Sequence, residues 1–191
     1  MIKNNIRRES YLKFLNTWKN RDLIKVLSGV RRSGKSTLLA MFQQDLKEQG
    51  VQDENIIAIN FEYMEFEELT DYRKLHDYVL SKVDKNKKNY VFLDEIQHVQ
   101  NFEKVVDSLY IRDYIDLYIT GSNAFFLSGE LATLLTGRYI EQHVLPLSFQ
   151  EFKQWHTENN PTIQQLSNRD LYAMYTRSSF PITLNIKKME E

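Results

Sequence analysis

Gly29-Val30-Arg31-Arg32-Ser33-Gly34-Lys35-Ser36, with Thr37 directly after it, is the stretch whose reading decides the fold. It satisfies G-x-x-x-x-G-K-[ST] at each fixed position, the pattern of a phosphate-binding loop. The glycines let the backbone bend so that successive N–H groups converge on a β-phosphate, and the Lys35 ammonium reaches the β- and γ-phosphates. The Ser36 hydroxyl is expected to ligate Mg²⁺. Gly29, Arg31, Arg32, Ser33, Gly34, Lys35, Ser36 and Thr37 are therefore the expected nucleotide-contacting set. Strand-like Leu23-Ile24-Lys25-Val26-Leu27 precedes the loop, and helix-like Thr37-Leu38-Leu39-Ala40-Met41-Phe42 comes after it. Strand, loop and helix in that order turn a string match into a prediction of nucleoside triphosphate binding.

Outward from the loop, helical and extended segments alternate. The patterning predicts a strand over 22–28, a helix over 35–48 closed by Gly50, a strand over 55–62 and an amphipathic helix over 67–83. A polar turn over 84–89 leads to the apolar strand Tyr90-Val91-Phe92-Leu93. A helix marked by Phe102, Val105, Val106, Leu109 and Tyr110 comes next, then a strand at 117–119 and a fifth over 138–145. Ser148-Phe149-Gln150-Glu151 reads as a capping box, with Leu147 and Phe152 as its hydrophobic staple, so a helix starts at Phe149. A last helix is expected over 169–175. Strands alternating with helices predict a parallel sheet covered on both faces, an α/β three-layer core. We read 1–147 as that core and 148–191 as a short C-terminal helical segment that begins a truncated second region.

Composition sets the outer bounds. The 191 residues are 42% hydrophobic and 27% charged, ordinary values for a folded domain, and the net charge of −1 predicts no general affinity for polyanions. Cysteine is absent, which excludes disulfides and thiolate metal sites. Neither a signal-peptide core nor an apolar run of about 20 residues is present, so a cytoplasmic location without membrane attachment is expected.

A phosphate loop names a ligand and leaves the reaction open. The second signal is Tyr90-Val91-Phe92-Leu93-Asp94-Glu95, four apolar residues ending in two carboxylates. Asp94, at the end of a buried strand, is the expected partner of Ser36 in holding Mg²⁺. Glu95, one position on and across the pleat, is the expected base that polarises a water for attack on the γ-phosphate. The third signal is Leu117-Tyr118-Ile119-Thr120-Gly121-Ser122-Asn123, another apolar strand ending in small polar residues. Asn123, with Ser122 second, is a candidate contact to the γ-phosphate or the water; an Asx turn closing the strand is the alternative.

Three blocks taken together carry a family likeness: GVRRSGKST, then FLDEIQHVQNFEKVVDSL, then YITGSNAFFLSGELATLLTGRYIEQHVLPLSFQEF. In that order, and from about Arg8 to about Pro181, the chain resembles AAA-type ATP-binding proteins of the archaeal-ATPase-like group. The resemblance implies an AAA+/ASCE P-loop core, with an additional strand between the strands that carry the phosphate loop and the Asp-Glu pair. It also implies the roles given above to Lys35, Ser36, Asp94 and Glu95. Arg138, after Gly137, is marked by the same resemblance as an arginine that reaches a neighbouring subunit's γ-phosphate in a homo-oligomer. Its alternative is a salt bridge at the sheet edge, with Glu141 or Glu130. Such relatives usually continue into a further C-terminal domain, and they carry Gly-Gly-Phe-Pro where this chain has Ser178-Ser179-Phe180-Pro181.

The predicted activity is hydrolysis of ATP with Mg²⁺, driving a conformational or assembly change. A nucleotide-sensing scaffold with negligible turnover is one alternative, and a P-loop kinase is another; Glu95 suits water activation better than transfer to a bound alcohol. No Asn-Lys-x-Asp guanine motif is present, since Asn86-Lys87-Lys88-Asn89 lacks the aspartate, which favours adenine. His76, His98, His143 and His156 lack metal-ligand spacing. Lys82, Lys85, Lys87 and Lys88 read as a solvated basic turn, and Tyr11 as helix packing in preference to a stacking platform for adenine. The client, protein or nucleic acid, is not encoded in any of these motifs.

Overall fold

The structure is a computed structural model that describes residues 6–121, 135, 137–159 and 166–177. Five parallel strands, β1 (Ile24–Ser28), β2 (Ile56–Asn60), β3 (Asn89–Asp94), β4 (Ile115–Thr120) and β5 (Tyr139–His143), form one sheet in the order β2-β3-β4-β1-β5. Among the described residues six α-helices accompany them: α1 (Glu9–Trp18), α2 (Lys35–Glu48), α3 (Tyr72–Lys82), α4 (Phe102–Tyr110), α5 (Phe149–Asn159) and α6 (Asn168–Arg177). β4 lies between β1 and β3, which is the extra strand the resemblance implies.

Why the sheet is buried on both faces can be read strand by strand. Side chains alternate along a strand, so Val91 and Leu93 enter one apolar cluster while Tyr90 and Phe92 enter another. Leu117 and Ile119 likewise join the first, and Tyr118 the second. The first cluster is closed by α3 and α4 through Leu75, Val79, Val105, Val106 and Leu109. The second is closed by α1 and α2 through Leu12, Leu15, Leu38, Phe42 and Leu46. Phe92 stacks on Tyr118 with centroids 4.8 Å apart, and Phe42 tilts against Tyr118 at 5.3 Å. A third, smaller cluster of Ile6, Leu147, Phe152 and Trp155 joins the N-terminal segment to α5.

At the amino ends of the strands a charge pair is sealed inside this packing. Lys25 on β1 and Asp116 on β4 are 0% and 1% exposed and are directly paired. Lys25 Nζ also donates to the Arg21 carbonyl at 2.8 Å, and Asp116 accepts from the Tyr118 hydroxyl (2.8 Å) and the Asn20 N–H (2.9 Å). Burial lowers the Lys25 pKa against the pull of Asp116, so the ion pair is held under desolvation. Lys25→Met is expected to destabilise the fold by about 3–5 kcal/mol, because it leaves Asp116 buried without its cation. Adding Asp116→Asn should recover much of that loss. Urea midpoints of the two variants check this; a single variant as stable as the parent would show the pair to be dispensable.

The expected helix over 67–83 is divided. A 3₁₀ segment covers Met64–Thr70, and α3 starts only after Asp71, whose carboxylate accepts from the Arg73 and Lys74 N–H groups at 2.9 and 3.1 Å. The Gln100 N–H donating to the Thr70 carbonyl (3.0 Å) holds this break in place, a long-range contact that periodicity does not register. The expected turn over 84–89 ends one residue early: Asn89 opens β3 and its amide closes the turn by donating to the Asp84 and Lys87 carbonyls. The capping box forms as expected, with Ser148 N–H donating to Glu151 (2.7 Å) and Glu151 N–H to the Ser148 hydroxyl (3.2 Å).

Candidate functional site

Parallel strands leave their carboxyl ends together, and ligands of open α/β sheets bind outside those ends. Here β1 ends at Ser28 and runs into the loop, β3 ends at Asp94, and β4 ends at Thr120. Gly29 has φ +145° and passes so close to β5 that a Cβ would stand 2.3 Å from the Val144 carbonyl oxygen. Gly34, with φ +99°, sits at the N-cap of α2, a left-handed conformation that side chains resist. The loop thereby leads directly into the N-terminus of α2, whose unpaired N–H groups and positive dipole end favour an anion.

Lys35 is almost fully buried. Its Nζ donates to the Gly29 and Val30 carbonyls at 3.2 and 3.3 Å, and it lies 3.4 Å from Glu95 Oε1. Glu95's other oxygen accepts from Gln97 Nε2 at 2.5 Å, so both carboxylate oxygens are engaged. Asp94 accepts from Asn60 Nδ2 at 2.8 Å and from the Thr120 hydroxyl. That same hydroxyl accepts the Glu95 N–H at 2.9 Å, so Thr120 aligns both acidic residues at once.

One expectation changes in its geometry. A continued strand would carry Glu95 to the opposite face of the pleat from Asp94. Instead β3 stops at Asp94 and Glu95 takes φ 57°, ψ 50°, a left-handed turn uncommon for a side-chain-bearing residue. The turn brings Glu95 back to Lys35. Backbone in this region is costly and is retained where surrounding structure over-determines it, here by Thr120 and Lys35.

The donor set fits Mg²⁺. The Ser36 hydroxyl lies near enough to the Asp94 carboxylate to favour its ionised form, so two hard oxygen ligands stand close together. Burial, which dominates, raises the Asp94 pKa, the neighbouring Glu95 charge adds to this, and Ser36, Thr120 and Lys35 oppose it. A divalent cation at these oxygens would supply the compensation that burial withholds from the ionised form.

Other expected residues are placed less centrally. Arg31 is exposed and pairs with Glu62 at 2.9 Å, while Arg32 is exposed with φ 68°. Ser33 is buried and its Oγ has no hydrogen-bond partner. Ser36 and Thr37 open α2. Asn123 and Ser122 lie outside the described residues, as do Glu130 and 178–181. Arg138 lies away from its own chain's loop, whereas its expected contact is with the γ-phosphate of a neighbouring subunit, which a single chain does not display. It precedes β5, whose first residue pairs with Ile24, whereas the loop begins after Ser28 at the other end of β1. A five-residue strand, about 16 Å, separates the two ends. Its guanidinium is paired with Asp107 and lies 5.9 Å from the Tyr110 ring. A salt bridge of the kind named as the alternative is present, with Asp107 as the partner. Tyr11 packs as expected: Arg8 covers its ring at 4.4 Å and its hydroxyl accepts the Leu145 N–H.

Three contributors were not singled out from sequence. Thr120 and Asn60 each end a strand, and strand-terminal polar residues beside Asp94 were the available signal. Arg8 carries no local signal, since its partners lie as far away as Glu151.

The profile of the AAA domain family matches residues 21–153. A relative in Haemophilus influenzae, an uncharacterized protein, is 44% identical over 183 residues, 95% of this chain and 45% of its own length. Another uncharacterized protein, from Methanocaldococcus jannaschii, is 38% identical over 71% of this chain and 29% of its own length. The chain thus spans less than half the length of these relatives. In three dimensions it is similar to a Walker-type ATPase of Pyrococcus abyssi, with TM-score 0.62 and 17% identity over 96% of this chain and 68% of that one. Cdc6p of Pyrobaculum aerophilum gives TM-score 0.63 and 12% identity over 96% of this chain and 58% of that one. At these identities the structural likeness speaks for the fold. Among the described residues no helix is long and apolar enough to cross a membrane.

Proposed function

The chain belongs to the AAA domain family of P-loop ATPases, and from that premise we propose that it binds ATP and hydrolyses it with Mg²⁺ to drive a conformational or assembly change. The observation that carries this reading is the convergence of Lys35, Asp94, Glu95 and Thr120 at the carboxyl ends of neighbouring strands. The loop N–H groups and Lys35 hold the β- and γ-phosphates, and Lys35 exchanges the Gly29 and Val30 carbonyls for phosphate oxygens. Ser36 and Asp94 would hold Mg²⁺, which neutralises charge on the phosphates when bound. Once Lys35 turns to the phosphates, Glu95 is released from its cation and its carboxylate can accept the proton of a water. The water oxygen bonds to the γ-phosphorus as the bond to the bridging oxygen breaks, leaving ADP and phosphate. Asn123 is a further proposed contact to the γ-phosphate or the water.

A second reading has its own support. Both oxygens of Glu95 are engaged, one by Lys35 and one by Gln97, which favours a nucleotide sensor with negligible turnover. Phosphate release without an added acceptor, measured beside ATP affinity with and without Mg²⁺, separates the readings. Release dependent on Mg²⁺ supports the ATPase. Tight binding without release supports the sensor, and release only to an added alcohol indicates a kinase. Absence of ATP binding overturns the proposal. Gel filtration with and without Mg-ATP tests the assembly step.

A further inference from the structure

Arg8 is a buried guanidinium outside the nucleotide motifs, 5% exposed, and its donors reach four separate residues distant in sequence. Nη1 donates to the Ser33 carbonyl of the phosphate loop at 3.2 Å and to the Leu145 carbonyl at 2.9 Å. Nη2 donates to the Pro146 carbonyl at 3.3 Å, and Nε donates to Glu151 of α5 at 2.8 Å. A lysine could not reproduce this, because one ammonium cannot address several planar acceptors in fixed directions.

The contact to Ser33 bears on the loop's function through peptide geometry. No cis peptide is present among the described residues, and in a planar trans peptide the carbonyl of one residue points opposite to the N–H of the next. Fixing the Ser33 carbonyl toward Arg8 therefore fixes the Gly34 N–H in the opposite direction. Gly34 is the N-cap of α2, and its N–H is among those expected to converge on the β-phosphate. Gly34's left-handed backbone gives the peptide freedom to turn, so an external restraint is needed to hold it. Glu151 supplies the other end of the restraint, since the carboxylate that binds Arg8 also caps the first turn of α5 through the Ser148 N–H.

We propose that Arg8 is a positioning residue for the phosphate cradle, setting the Ser33–Gly34 peptide, and that its ion pair with Glu151 couples the cradle to helix α5. The inference rests on the nucleotide-binding reading above. In one direction a nucleotide that engages the Gly34 N–H steadies Arg8 and hence α5. In the other, any displacement of α5 loosens the cradle, since linkage between two sites is reciprocal.

The test uses the full chain and two probes, Mg-ATP and Mg-tripolyphosphate, titrated by calorimetry. Tripolyphosphate has no base or ribose and senses the cradle alone. Arg8→Ala is expected to weaken both probes by a similar factor of about tenfold or more, the scale of a hydrogen bond to a charged group. Its circular dichroism should match the parent. Glu151→Gln is expected to weaken both by a smaller factor. The parent is expected to show ATP-induced slowing of amide exchange over 149–158, and Glu151→Gln should remove it. A folded Arg8→Ala protein with parental affinity for tripolyphosphate overturns the inference, and so does a loss confined to ATP. Should Arg8→Ala fail to fold, Glu151→Gln decides: parental affinities and parental exchange behaviour overturn it. A parent that binds neither probe overturns the nucleotide reading itself, and this inference with it.

Discussion

Lys35→Ala is expected to lower ATP affinity by at least about a hundredfold while the protein remains folded. The ammonium is the charged donor of the loop, and in this structure it is held by two loop carbonyls and Glu95. None of these contacts belongs to the apolar clusters that hold the sheet, so the fold does not depend on them. Removing the ammonium leaves phosphate charge facing neutral N–H groups and the nearby Glu95 carboxylate, which repels it. Calorimetry with Mg-ATP and a thermal melt, run together, check both halves. Unchanged affinity in a folded variant would remove Lys35 from the site, and with it the central assignment of the loop.

Turnover should fall by about 10²–10⁴ in Glu95→Gln, with ATP and Mg²⁺ still bound. The amide preserves the size of the side chain and can still accept from Gln97 Nε2. It cannot take the proton of an attacking water, so the loss should appear in kcat with KM little changed. Binding should even improve slightly, since Lys35 loses the anion that competes with phosphate for it. Parental phosphate release by this variant would dismiss Glu95 as the base and leave it as the residue that parks Lys35. An inactive parent that binds ATP tightly would instead point to the sensor reading, in which the Lys35–Glu95–Gln97 contacts are the resting arrangement.

Much of the core is legible in the sequence because its signals are local. Helix α2 runs over Lys35–Glu48, as the loop and Gly50 indicate, since glycine turns and helical periodicity act within a few residues. The Ser148–Glu151 capping box forms for the same reason. The long helix expected over 67–83 divides because its break at Asp71 is held by Gln100, a residue well outside any sequence window. The carboxylate pair is legible as a motif, but its geometry is not. The pleat rule sends Glu95 away from Asp94, and only the hydroxyl of Thr120, on another strand, shows why the chain turns left-handed there.

Arg138 illustrates the limit most clearly. Its position in the chain is as close to β5 as the loop is to β1, and nothing in the sequence states which end of the sheet it occupies. The parallel register does: β1 and β5 run together, so a residue just before β5 and a loop just after β1 lie at opposite ends of the sheet. The amino-acid sequence by itself determined a phosphate loop, an apolar strand leading into the Asp94-Glu95 pair, and an alternation of strands and helices. Those are consequences of backbone freedom, burial and periodicity over short spans. The tertiary structure alone decided which of these residues meet. Thr120, Asn60 and Arg8 join the site, and Arg138 falls at the opposite end of its own chain's sheet, because adjacency in a sheet is set by strand order and register, which no local pattern encodes.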